Sequence, residues 1–168
     1  DIWWAAGRSL LVAVGSAALC MTLALTLALR GGPMVAIVGV LPLAASSLVI
    51  GTGLFLIIYP VMNPTKLALL VTTLTNATLA LPFVLRAIGP AVDAVNAEFG
   101  RLGATLGLSP AVWIRHIMLP RLRRPIGFGA GLAAALSMGD LGVITLFAGD
   151  GGETLPLAMY RLMGAYKM

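Results

Sequence analysis

An all-α helical bundle that crosses a membrane is the fold class this sequence predicts, and three observations predict it. Only 10% of the 168 residues are charged while 60% are hydrophobic, against roughly 25% charged in an ordinary soluble domain. The mean hydropathy is +1.01. Charged side chains are absent between Arg8 and Arg30, Arg30 and Lys66, Lys66 and Arg86, and Arg124 and Asp140. A helix crossing hydrocarbon needs roughly 20 mainly apolar residues, so each run supplies all or most of one span.

Taken in order, the first span covers 9–29, where Ala13, Gly15, Ala17 and Ala18 let a neighbouring helix approach closely. Arg30-Gly31-Gly32-Pro33 makes a turn. The second span covers 34–59, bent at Pro42 and loosened at Gly51 and Gly53. After the turn Pro60-Val61-Met62-Asn63-Pro64, the third covers 66–86 and carries a polar cluster of Thr72, Thr73, Thr75, Asn76 and Thr78. Such residues line a polar path or bond to a neighbouring helix and to their own backbone, and the sequence leaves both open. The fourth covers 125–147, with Pro125 suited to a first turn and Gly127, Gly131 and Ala135 as a close-packing face. A glycine-rich loop from Gly149 and a short amphipathic piece close the chain. The whole, 1–168, reads as one transmembrane domain without repeats.

The loop 87–124 is the one extended hydrophilic region. From Arg86 to Arg124 it holds six of the eleven Lys and Arg, against the two acids Asp93 and Glu98. Positive-inside bias places this loop in the cytoplasm with Arg30, and Asp1, Lys66, Asp150 and Glu153 on the other side. The net charge of +5 therefore reflects orientation, and nucleic acid is not an expected partner. The first apolar run is too long for a signal h-region, and the start at Asp1 suggests numbering from inside a longer polypeptide. Cys20 is alone, so neither a disulfide nor a thiolate metal site is expected. One histidine, His116, makes no metal site either.

Within the loop, Ala94–Leu106 has helical composition and Gly107-Leu108 breaks it. Ser109-Pro110 restarts a helix with a preferred cap and first residue, and the piece from Ala111 to Leu119 ends at Pro120. Trp113 and Ile117 share one face, which suits an apolar knob for a partner's groove.

Gly107, Ile117, Leu119 and Pro120 together satisfy a pattern of G, nine residues, then I-x-L-P. This resembles the EAA loop of permease subunits in bacterial binding-protein-dependent ABC importers. The flanks LALPFVLRAIGP and LSMGDLGVITLFAGDGGETLPLAMYRLMGAYK look like the adjoining spans, most similar to the second half of the thiamine permeases. Iron(III) and polyamine permeases are the nearest competitors. The resemblance covers nearly all of the chain. It implies a MetI-like permease fold, here incomplete, in the bacterial inner membrane, with a cytoplasmic coupling helix that docks on an ATPase subunit. The leading E-A-A falls on Arg101, Leu102 and Gly103, where only the small third residue is kept; Glu98 lies one turn earlier. Implied partners are an ABC ATPase dimer, a periplasmic or extracellular solute-binding protein and a second permease half. ATP and Mg would sit on the ATPase, leaving no cofactor for this chain.

Asp140 is the one acid inside an apolar run and is costly there, which makes it the leading candidate for the solute path together with Thr75 and Asn76. A purely structural acid is the alternative. Asp150, Gly151, Gly152 and Glu153 form a loop that could meet a binding protein or simply be an exposed turn. The chain has no G-x-x-x-x-G-K-[ST], H-E-x-x-H, C-x-x-C or G-x-S-x-G, so catalysis by it is not expected. The reading is an importer permease working by alternating access, with an ion-gradient-driven transporter fragment as the rival class.

Overall fold

The computed structural model describes residues 2–44, 46–60, 64–147 and 154–165. Every element among them is helical: α1 (Ile2–Arg30), α2 (Pro33–Val38), a 3-10 turn (Leu41–Ala44), α3 (Ser47–Ile58), α4 (Pro64–Thr105), α5 (Pro110–Trp113), a π turn (Ile114–Met118), α6 (Leu119–Gly139), α7 (Ile144–Phe147) and α8 (Leu155–Ala165). Asp1, Asn63, Asp150, Gly151, Gly152, Glu153 and Lys167 lie outside the described residues.

The frame is a three-helix bundle of α1, α4 and α6. Ser16 meets Thr73 and Ser137, and five residues on Met21 meets Val84 and Gly129. Rising numbers in α1 thus match rising numbers in α4 and falling numbers in α6, so α1 and α4 run parallel and α6 returns between them. Two apolar clusters hold the bundle. One joins Cys20, Met21 and Ala24 to Val84, Ile88, Leu122 and Ala133; the other joins Ala68 and Val71 to Val143, Phe147 and Leu157. Along α4 the buried polar residues Thr72, Thr75 and Asn76 fall between them. A polar layer therefore separates two greasy ones.

Two helices, α1 and the stretch Leu67–Thr105 of α4, are long and apolar enough to cross a membrane. The other runs depart from the sequence-based bounds for local reasons. The second expected span is interrupted: α2 stops at Gly39, Pro42 lies in the 3-10 turn, and Ser46 in extended backbone restarts α3. At 12 residues, α3 reaches only about 18 Å at 1.5 Å per residue. The third element overruns Arg86 by nineteen positions and continues to Thr105, with Pro82 and Pro90 inside it. Its 42 residues span about 63 Å, roughly twice a hydrocarbon core.

The last long helix begins at Leu119 rather than Pro125 and ends at Gly139 rather than Phe147. Pro120 does not stop the preceding piece. Its missing N–H and its ring conflict with the carbonyl four residues back, and the chain answers by widening: the Leu119 N–H bonds to the Ile114 carbonyl in π register. Pro110 to Gly139 is consequently helical throughout.

The close-packing face of α6 also differs from the expected one. Gly127, Gly131 and Ala135 are exposed, and nothing approaches the two glycines. Gly129, Ala133 and Ser137 face α1 and α4 instead, and a Cβ on Gly129 would stand 3.1 Å from Met21 Cε and 3.2 Å from Val84 Cγ1. Small residues recur every four positions on both faces, so spacing alone does not choose between them. On α1, Ala13 and Ala17 are buried, Gly15 lies near Thr73, and Ala18 is exposed.

Candidate functional site

Two places hold the residues singled out by the sequence. The first is the bend joining α4 to α6. Its corner is a Schellman stop: the Leu108 N–H bonds to the Gly103 carbonyl and the Gly107 N–H to the Ala104 carbonyl, both at 3.2 Å. Gly107 occupies φ +62°, the left-handed region a side chain disfavours. Two residues later Ser109, in extended backbone, accepts a hydrogen bond from the Val112 N–H, and Pro110 opens α5.

The bend is closed by Trp113. A Cβ placed on Gly103 would lie 2.5 and 2.6 Å from Trp113 Cζ3 and Cε3, so the indole rests directly on the glycine backbone. Ile117 packs with Trp113 against the first apolar cluster, beside Val95 and Phe99. The face expected to offer knobs to a partner is thus turned onto the molecule's own α4. Leu102, Leu106, Val112 and Leu119 are the large apolar side chains of the bend left facing outward, Leu106 being 62% exposed. Arg101 and Pro120 are exposed as well. The Arg121 guanidinium stacks 4.0 Å over the Phe99 ring, a cation–π contact that ties the start of α6 to the end of α4. Arg115, His116, Arg123 and Arg124 are exposed around it.

The second place is the polar layer. Asp140 is not inside a helix but caps the C-terminus of α6, with φ −81° and ψ 122°. Its Oδ1 accepts the Gly142 N–H at 3.0 Å, and its Oδ2 is buried without a partner. A cavity of about 230 Å³ opens beside it, lined by Ser47, Asn76, Leu79, Phe83, Leu136 and Asp140 among others. Asn76 is 4% exposed; its Nδ2 donates to Ser137 Oγ at 3.0 Å, and its Oδ1 has no partner. Ser137 Oγ donates to Ser16 Oγ, and Ser16 Oγ to the Thr73 carbonyl. One hydrogen-bonded chain therefore crosses all three long helices.

The cavity brings Asn76 and Asp140 together and leaves Thr75 out. Thr75 is buried with an unpartnered Oγ1, and it lines neither this cavity nor the smaller one between Ser9, Thr72 and Asp140. Thr72, Thr73 and Thr78 bond back to carbonyls of their own helix, four residues earlier. Sequence reasoning passed over Ser47, Phe83, Ser16 and Ser137. Ser137 carried a faint signal, being the one hydroxyl in its helix; Ser16 shares α1 with Ser9, Thr22 and Thr26 and did not stand out, and Ser47 and Phe83 carried no signal.

No family model matches the chain. The chain is 33% identical over 174 residues to the thiamine transport system permease protein ThiP of Brucella abortus (strain 2308). It is 29% identical over 177 residues to that of Salmonella typhimurium (strain LT2). These alignments take in 99% of this chain and 32% and 33% of the relatives, so the chain spans about a third of the length of the curated relatives it matches. A putative 2-aminoethylphosphonate transport system permease protein of Salmonella paratyphi A is 26% identical over 122 residues, covering 73% of the chain and 46% of that protein. Over nearly its whole length the chain resembles part of an ABC permease, the thiamine permeases above all.

Proposed function

We propose that this chain is a stretch of the membrane-embedded permease of an ATP-driven importer, moving a small polar solute, thiamine in first place, across the bacterial inner membrane. The observation that carries the reading is the rigid bend at Gly107 between two long helices, in a chain that resembles thiamine transport permeases over 99% of its length. Large exposed apolar side chains along α1, α3 and α4, such as Leu11, Val49, Leu56 and Leu70, suit contact with lipid, since a soluble monomer rarely leaves so much apolar surface bare. Trp3 and Trp4, exposed near the start of α1, suit the membrane–water boundary. In this reading the span region of α4 ends near Arg86 and its remainder stands in the cytoplasm.

The bend works as a lever. A separate ATPase pair grips the outward residues Leu102, Leu106 and Val112 and closes on ATP. The stacked Gly103–Trp113 contact and the unbroken rod from Pro110 to Gly139 carry that displacement to Asp140 at the far end of α6. The cavity between α4 and α6 then changes the side to which it opens. A solute-binding protein delivers the cargo, and a second permease half supplies the opposing wall. The unpartnered Asn76 Oδ1 and the nearby carboxylate of Asp140, which line the same cavity, suit a cationic solute bearing N–H donors, as thiamine is. Uptake of radiolabelled thiamine by cells carrying the full-length protein, with iron(III) and polyamines as competitors, tests the solute. Cysteine cross-linking from Leu106 to the ATPase tests the lever: no capture in any nucleotide state, with uptake intact, would sink it.

A further inference from the structure

Negative potential gathers at the C-terminal end of α6. The helix has 21 residues, no basic side chain in its last turn, and Asp140 as its C-cap. The final carbonyls of a helix lack partners within it and carry the negative end of its dipole, where a cation is favoured and a carboxylate is not. Asp140 also lines a second and much smaller chamber of about 10 Å³. Ser9, Thr72, Ser137, Asp140 and Thr154, all oxygen-bearing, are among the residues that line it.

We propose that this chamber binds one dehydrated monovalent cation of sodium size, held by Asp140 Oδ2 and the hydroxyl oxygens of Ser9, Thr72 and Thr154. Two of these oxygens are otherwise without purpose. Thr154 is 5% exposed and its Oγ1 is unpartnered, as is Asp140 Oδ2. The other two keep lone pairs free: Thr72 donates its proton to the Ala68 carbonyl, and Ser9 Oγ accepts the Leu155 N–H at 2.7 Å. Neutral and anionic oxygens of this kind are the ligands hard cations take.

Size and charge narrow the guest. The chamber is near the smallest that holds one water-sized particle, about 10–15 Å³. Asp140 is the one carboxylate among the described residues that line the chamber; it balances a single positive charge, whereas a divalent ion would leave charge buried among apolar neighbours. Among the described residues no set of three His, Cys, Asp or Glu gathers to hold a multivalent metal. A water molecule would satisfy the hydroxyls but leave the carboxylate and the helix end uncompensated. Ends of interrupted helices coordinate sodium in transporters for the same electrostatic reason. Asp140 lines the larger cavity too, so the ion sets the charge that cavity presents.

Ion binding by the resting protein stands apart from the transport reading and is measured without solute or nucleotide. The full-length protein in detergent is melted in sodium, potassium and choline chloride at one ionic strength. The expected result is a saturable, sodium-selective rise in Tm of about 2–4 °C, absent in Thr154→Val and in Asp140→Asn. The same Tm in all three salts would mean that the chamber holds only water, and the proposal falls. It falls equally if potassium stabilises as well as sodium, or if the sodium effect survives in Thr154→Val. That nearly isosteric change decides the matter should Asp140→Asn fail to fold.

Discussion

Replacing Gly103 with alanine tests the bend most sharply. The new methyl would arrive 2.5 Å from Trp113 Cζ3 and 2.6 Å from Cε3, whereas carbon atoms rest at about 3.5–4.0 Å. The indole must therefore retreat by about 1 Å. Overpacking of this kind costs about 1–3 kcal/mol, while alanine in place of a helical glycine returns about 0.5–1 kcal/mol. The single substitution should accordingly lower stability by up to about 2 kcal/mol. In a Trp113→Leu background the obstructing ring is gone, so the same methyl should become neutral or stabilising. A double-mutant cycle, read by chemical denaturation of the full-length protein in detergent, should then show a coupling of about 1–3 kcal/mol between the two positions. Solute-stimulated ATP hydrolysis should fall with Gly103→Ala and recover in part in the double variant. Additive effects, with the alanine equally harmless beside the native tryptophan and beside the leucine that replaces it, would refute the contact and the lever built on it.

Three other outcomes follow from the same geometry. Ser137→Ala removes the Asn76 amide nitrogen's 3.0 Å bond to the Ser137 hydroxyl and leaves it the longer 3.4 Å bond to the Ser137 carbonyl, and should cost about 0.5–1.5 kcal/mol by denaturation; a neutral result would mean that the carbonyl alone suffices. Gly129→Leu should drive α6 away from Met21 and Val84 and sharply reduce the yield of folded protein on gel filtration, while Gly131→Leu, on the open face, should leave it unchanged. Asp140→Asn should slow solute uptake by roughly tenfold, the loss of a contact worth about 1.4 kcal/mol, with assembly intact; wild-type uptake would remove Asp140 from the path.

Much of the outline was legible because composition and local stereochemistry act over short distances. Long uncharged runs marked α1 and α4, and Gly107 with Ser109-Pro110 marked the corner, since only a glycine takes that φ readily and a serine before proline caps a helix well. Lengths were harder. Pro120 read as a stop, yet it lies within a continuing helix, as do Pro82 and Pro90. A proline weakens a helix by a few kcal/mol, and burial of the flanking residues in the first apolar cluster outweighs it; Pro82 itself is almost fully buried. The site residues divided in the same way. Asp140 and Asn76 announced themselves as polar groups in apolar sequence and do share a cavity, while Thr75 carried the same signal and contributes to no wall of it.

What the amino-acid sequence determined alone was how long and how apolar its uncharged runs are, the places where its backbone must turn, and which stretch gathers the arginines. Those depend on side-chain chemistry and on φ preferences within a few residues. Which way a helix faces was decided only by the tertiary structure. Trp113 could have pointed at a partner or at Gly103, and either small-residue face of α6 could have met α1. The choice rests on whether a large ring finds a glycine opposite and whether Gly129, Ala133 and Ser137 find Met21, Val84 and Ser16, and such complementarity exists only between segments far apart in the chain.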